Sequence, residues 1–95
     1  MAPSKRVKET RKDARKDSAA AHRLAQWYFR GEEGLSQDNV LAFEWERKAA
    51  ERGCADAQFG IGSMYFEGFP SVQVDHAIAI VWFRKAALQG RALHY

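Results

Sequence analysis

Four side chains in this sequence have the chemistry of metal ligands or nucleophiles: His22, His76, His94 and Cys54. A metal site needs three or four such donors converging on one ion, which imposes recognisable spacings. The chain has no C-x-x-C, no H-E-x-x-H and no histidine pair at i,i+4, so no metal site is expected. The histidines are expected to face solvent or a partner. Cys54 follows Gly53 and reads as a small, partly buried apolar residue. Being the only cysteine, it cannot close an internal disulfide, which fits a reducing compartment. Glu32–Glu33 and Glu44–Glu46 have the residue types of acid–base pairs. Such catalysis requires a pocket that shifts a pKa, and both pairs read instead as solvent-facing loop and helix charge. The stretch Gly31-Glu32-Glu33-Gly34 lacks the Lys-Ser/Thr and the preceding strand of a phosphate loop. These residues give no catalytic group and imply no cofactor.

The aromatic residues say more, because they recur. Shifting the chain by 37 residues superposes 20–55 on 57–92 without a gap. Ala20, Tyr28, Phe29, Gly31, Asp38, Ala42, Trp45, Arg47, Lys48, Ala49, Ala50, Gly53 and Ala55 then meet their own kind. That is 13 identities in 36 pairs, where ordinary residue frequencies give roughly two or three. Tyrosine and tryptophan repeating at one period belong to a packed core rather than to a ligand cage. Trp27 stands outside the pattern, opposite Met64, and is expected to be partly exposed.

Each unit has to be a helical hairpin. Ala20, Leu24 and Tyr28 share one face of a helix over about 19–30, and Ala57, Ile61 and Tyr65 do the same over 56–67. Gly31 and Gly68 are expected to end these helices in the left-handed conformation. After a short loop, Asp38 and Asp75 are placed to cap second helices over about 39–52 and 76–89. Ala42, Trp45 and Ala49, and Ala79, Trp82 and Ala86, form their inner faces, and Gly53 and Gly90 stop them. The expected fold class is all-α: an α/α solenoid of two helix–turn–helix repeats, four helices in all, over 18–95.

Before the repeats lies a basic segment. The chain carries a formal charge of +3, but residues 1–17 hold +4 of it and residues 18–95 are at −1. Lys5, Arg6, Lys8, Arg11, Lys12, Arg15 and Lys16 therefore form an electrostatic tail. A helix there would stack Arg11 on Arg15 and Lys12 on Lys16, so a disordered or frayed segment is expected. It reads as a solubilising tail, or as an arm for nucleic acid or an acidic partner. No aromatic is interleaved with these bases in sequence, so stacking on single strands is not supported. The tail has no apolar stretch of the kind a secretory signal carries, and no apolar run approaches the roughly 18 residues that span a bilayer. A cytoplasmic protein with no membrane partner is expected.

The repeated residues carry a resemblance. Ala-x3-(Leu/Ile)-(Ala/Gly)-x2-Tyr-x2-Gly followed by Asp-x3-Ala-x2-Trp-x2-Lys-Ala-Ala-x2-Gly resembles the Sel-one-like repeat (SLR), a relative of the tetratricopeptide repeat. The likeness covers about 20–92 and holds twice at one spacing. Both units carry one extra loop residue relative to the family's usual period, and Ser71 replaces the glycine found at Gly34. The resemblance implies a right-handed superhelix that acts as an adaptor or scaffold for another protein. Cysteine-rich members associated with β-lactams carry a disulfide in each repeat. This chain has no such pairs, so that activity is not transferred and no enzyme is expected.

Two surfaces are candidates for binding. First helices in such solenoids line the concave face, which nominates His22, Gln26, Phe29, Phe59, Ser63 and Phe66 as a groove. Phe29 and Phe66 recur between units, so core is the alternative for either. The last helix is apolar nearly all round: Glu44, Glu46 and Glu51 become Val81, Phe83 and Leu88. A terminal repeat is normally polar outside, and Arg91 to Tyr95 are too few for another helix. Ala77, Val81 and Leu88 are therefore expected to dock on a second copy, or on a partner that continues the stack.

Overall fold

Three aspartates decide where helices begin. Asp17 accepts from the Ala19 N–H at 2.9 Å, Asp38 from the Leu41 N–H at 3.0 Å and Asp75 from the Ile78 N–H at 3.0 Å. Each thereby satisfies a donor that a first helical turn leaves open. The computed structural model describes residues 2–90, which form α1 (Lys5–Asp13), α2 (Ser18–Arg30), α3 (Asn39–Glu51), α4 (Ala55–Glu67) and α5 (His76–Leu88). His94 lies outside the described residues. Consecutive helices pack on one another, α1 on α2, α2 on α3, α3 on α4 and α4 on α5, as a helical solenoid requires.

The two hairpins repeat in detail. In the first, the Asp38 N–H donates to the Tyr28 carbonyl at 2.9 Å; in the second, the Asp75 N–H donates to the Tyr65 carbonyl at 2.8 Å. Lys48 lies 4.6 Å over the Trp45 ring and Lys85 4.5 Å over Trp82. Both tryptophans are half-buried and pack against the buried core. The loops differ. Gly31 is left-handed at φ 67°, ψ 45°, whereas Gly68 has φ 87°, ψ 151°, outside the left-handed helical region expected for it. The cause lies in the next residues. Phe69 and Val72 exchange backbone hydrogen bonds of 3.0 and 2.8 Å around Pro70, and the chain leaves α4 extended to reach that turn.

The main departure is at the N-terminus. Where a disordered or frayed segment is expected, Lys5–Asp13 form a helix, α1, in addition to the four helices of the two repeats. Ser4 caps it by accepting from Val7 N–H at 3.3 Å. The Ser4 N–H donates to the Glu33 carbonyl at 2.9 Å, and Arg6 pairs with the Glu33 carboxylate at 3.2 Å. The loop admits this because Gly34, at φ 79°, has no Cβ to collide with the Ala2 carbonyl. Arg11 escapes its like-charged neighbours by donating to the Tyr28 hydroxyl at 2.8 Å, and Arg52 reaches back to the Ala14 carbonyl. Val7, Thr10 and Ala14 are buried. Trp27 is consequently buried too, under Arg6 at 5.4 Å from its ring, rather than partly exposed.

What makes α1 fold is a sequence signal weaker than the 37-residue repeat. Arg11-Lys12-Asp13-Ala14 echoes Arg47-Lys48-Ala49-Ala50 and Arg84-Lys85-Ala86-Ala87. In that register Val7 and Ala14 take the places of Phe43 and Ala50, and Thr10 that of Glu46, all of which face inward. Helix α1 covers α2 as α3 covers α4, standing where the second helix of a preceding unit would stand.

This packing predicts that Val7→Ala lowers the unfolding free energy by about 2 kcal/mol, from two lost methyl groups and the space they leave. The exposed Lys12→Ala should stay within about 0.5 kcal/mol. Urea denaturation of both variants checks this; equal midpoints would mean a frayed tail.

Candidate functional site

The residues nominated for a groove divide into two groups in the structure. Gln26, Phe29 and Ser63 come together on a cavity of about 310 Å³ between α2 and α4, floored by Ala42 and Glu46 of α3. Phe29 is half exposed there, with its ring 5.8 Å from that of Phe69. His22 stands behind Gln26, half-buried against Glu46. Phe59 and Phe66 are elsewhere. They pack on Phe83 of α5, with ring centroids 5.6 and 6.3 Å away, and Phe66 stacks on His76 at 4.6 Å. The His76 Nε2–H donates to the Phe66 carbonyl at 3.2 Å.

Glu46 is the residue that sequence reasoning misplaced. Expected on a solvated helix face, it is only 6% exposed, because α3 turns it inward between α2 and α4. His22 Nδ1–H donates to Glu46 Oε1 at 2.5 Å, and His22 Nε2 lies 3.3 Å from the Gln26 amide nitrogen. The Nδ1–H can donate to the carboxylate whether the ring is neutral or protonated, while only the neutral ring can also accept from Gln26 at Nε2. Burial pushes the Glu46 carboxyl above its ordinary value, the hydrogen bond and charge of His22 pull it back in part, and Asp56 pushes it up further. The other carboxylate oxygen, Oε2, faces Gly60, where even a Cβ would come within 2.6 Å of it. A signal for this pair did exist. Shifted by 37 residues, His22 becomes Phe59 and Glu46 becomes Phe83, so both positions change character together between units.

The basic residues of α1 are partly spent on the fold. Lys5 approaches Glu9 at 3.9 Å on the surface, and Arg6 and Arg11 make the contacts described above. Lys8, Arg11, Lys12 and Arg15 also border a shallow depression whose wall is Trp45. Folding thus supplies the aromatic that the linear sequence did not place among these bases. Lys16 is exposed. On α5, Ala77, Val81 and Leu88 are exposed, and so are Ile78 and Ile80. Among the described residues, no three or more His, Cys, Asp or Glu side chains gather as a metal site would require.

Comparison with known proteins agrees with this geometry. The family model described as Sel1 repeat matches residues 18–54 and 55–90. The crystal structure of a Sel1 repeat protein from Oxalobacter formigenes is similar with a TM-score of 0.82 and 34% identity, covering 88% of this chain and 62% of that one. A protective antigen present in uropathogenic Escherichia coli strains, displaying an SLR fold, is similar with a TM-score of 0.80 and 34% identity, over 88% of this chain and 18% of that one. This chain therefore spans less than two thirds of either. No curated protein matches it.

The buried carboxyl makes a pH prediction. With its folded value raised above 4.5, Glu46 favours the folded state fully below about pH 4, and that contribution falls as pH rises through the raised value. Glu46→Gln removes the decline. Urea denaturation from about pH 4 to about pH 7 should show the variant gaining on the parent as pH rises; a constant difference would contradict the burial argument.

Proposed function

Because the chain belongs to the Sel1 repeat family, we propose that it is a protein-interaction module, an adaptor or scaffold that pairs with a second copy of itself through α5 and holds a partner in the groove between α2 and α4. It is assigned no reaction. The observation that carries the pairing is a register comparison. On α3, Phe43 meets Tyr65 edge-on at 6.0 Å and Ala50 is buried, with its carbonyl accepting from the Gln58 side chain at 3.1 Å; this face joins the two units. The same register on α5 holds Ile80 and Ala87, both exposed. Helix α5 thus presents a second version of a docking face that the fold already uses once, with Ile78, Val81 and Leu88 around it.

The geometry also favours a mode of pairing. The surface of α2 that would receive another copy's α5 end to end is occupied by α1. Contact is then face to face between two α5 helices, a closed, two-fold arrangement. Among the described residues no helix is long and apolar enough to cross a membrane, and a cytoplasmic setting suits the lone Cys54.

A second reading has one observation in its favour, the basic depression on α1 with Trp45 in its wall. It would take an acidic partner, nucleic acid included.

Sedimentation separates these readings. The parent chain should run as a dimer at high protein concentration, and Val81→Glu with Leu88→Glu should run as a folded monomer. Apolar pairing should persist as salt rises, whereas phosphate binding on α1 weakens steeply. A parent chain that stays monomeric and folded at every concentration would defeat the pairing.

A further inference from the structure

Among the described residues, Glu46 is the one buried charged side chain, and the repeat does not require it. The second unit places Phe59 and Phe83 at the positions of His22 and Glu46, ring on ring at 5.6 Å, and builds the same hairpin from them. Replacing a buried charged pair by apolar side chains of similar volume is commonly neutral or stabilising. The first unit therefore retains a feature that its own twin shows to be dispensable for folding. The arrangement around it is directional. One carboxylate oxygen is held by His22, while the other is turned toward Gly60 and the cavity that Glu46 floors. The counterpart of Gly60 is Arg23, an ordinary helical position, and glycine here leaves Oε2 the room that a Cβ would fill.

The charges at the cavity select the occupant. Arg30 on its rim approaches Glu32 at 3.8 Å. Glu67 from α4 adds a second carboxylate to the lining, and Asp56 lies close enough to act on Glu46 electrostatically. His22 from α2 offsets part of this only when protonated. The apolar walls come from Phe29, Phe69 and Met64. At about 310 Å³ the space is at the small end for a ligand pocket and suits one long side chain rather than a folded surface. Its chemistry is a carboxylate at the base of an apolar sleeve, which matches an aliphatic stem that ends in a cation.

We propose that this cavity is the subsite for a lysine or arginine side chain of a partner's extended segment, with the cation meeting Glu46 Oε2 beside Gly60 and the stem lying along Phe29 and Phe69. The subsite rests on the interaction-module reading of the groove and adds its selectivity. His22 is a positioning residue that fixes which oxygen of Glu46 is offered.

The test is a titration of the ¹⁵N-labelled full chain, followed by amide shifts, with four blocked tripeptides: acetyl-Ala-X-Ala-amide with X lysine, arginine, norleucine or glutamate. The lysyl and arginyl peptides should give saturable shifts at the Gly60 and Ser63 amides. The norleucyl and glutamyl peptides should bind at least tenfold more weakly there. Glu46→Gln should weaken the lysyl peptide by a similar factor. Gly60→Ala, which fills the space before Oε2, should do the same, and it keeps the test decisive if Glu46→Gln alters the spectrum throughout. Equal binding of the norleucyl peptide would overturn the cation subsite while leaving a peptide groove in place. Binding of the glutamyl peptide, unchanged lysyl binding in both variants, or no saturable shift with any peptide would also overturn it. Pairing through α5 is read separately by sedimentation and does not depend on these outcomes.

Discussion

Close approach of helices across alanine is the constraint on which this molecule depends. Among the described residues, ten of the buried apolar ones are alanines, and the largest side chains fully removed from solvent are Leu24, Ile61 and Val7. With so little side chain between them, the helix backbones must lie near one another, and each contact buries modest area. Gly62 extends the same logic: a Cβ there would meet the Phe83 ring at 2.6 Å. Stability in such a stack accumulates from neighbour to neighbour rather than from one central core. A helix that loses its neighbour loses most of what holds it. That is why α1, short and highly charged, still folds once Val7 and Ala14 reach α2.

Within a frame fixed by small residues, the two units are free to differ in what fills the remaining positions. At one pair of positions the first unit has a histidine and a carboxylate, and the second has two phenylalanines. At the outward face of the second helix, the first unit packs a half-buried Phe43 against its successor while the second leaves Ile80 exposed. Both differences fall on surfaces proposed above for recognition, the first placing charge inside a cavity and the second apolar side chains on the outside. Neither alters the backbone, since caps, tyrosine–loop hydrogen bonds and lysine–tryptophan contacts recur at matching distances.

Most of the fold was legible because the signals were local and doubled. Asp38 and Asp75 cap where their spacing put them, and Ala20, Leu24 and Ala57, Ile61 are buried on the stripes that periodicity drew. The N-terminal helix was not legible from charge. Like charges at i,i+4 argue against a helix only while it stands alone, and here Tyr28, Glu33 and the underside of α2 provide the missing partners. Its kinship with α3 was hidden by Glu9 standing where the later helices have Trp45 and Trp82. Trp27 was misjudged for the same reason, since its cover is α1. At the groove, three of six nominated residues meet around one cavity. Phe59 and Phe66 do not, because α5 supplies an aromatic partner, Phe83, that the first unit lacks at Glu46. Glu46 itself was invisible as long as glutamates on a helix were assigned to solvent.

The central claim is that alanine at equivalent positions sets the spacing of both hairpins. Its most direct measurement is the unfolding free energy, by urea denaturation, of Ala49→Leu and Ala86→Leu, both at residues with no exposed surface. The account predicts that each costs about 1–3 kcal/mol through overpacking, with similar values in the two units. A leucine accepted at either position within about 0.5 kcal/mol would contradict it.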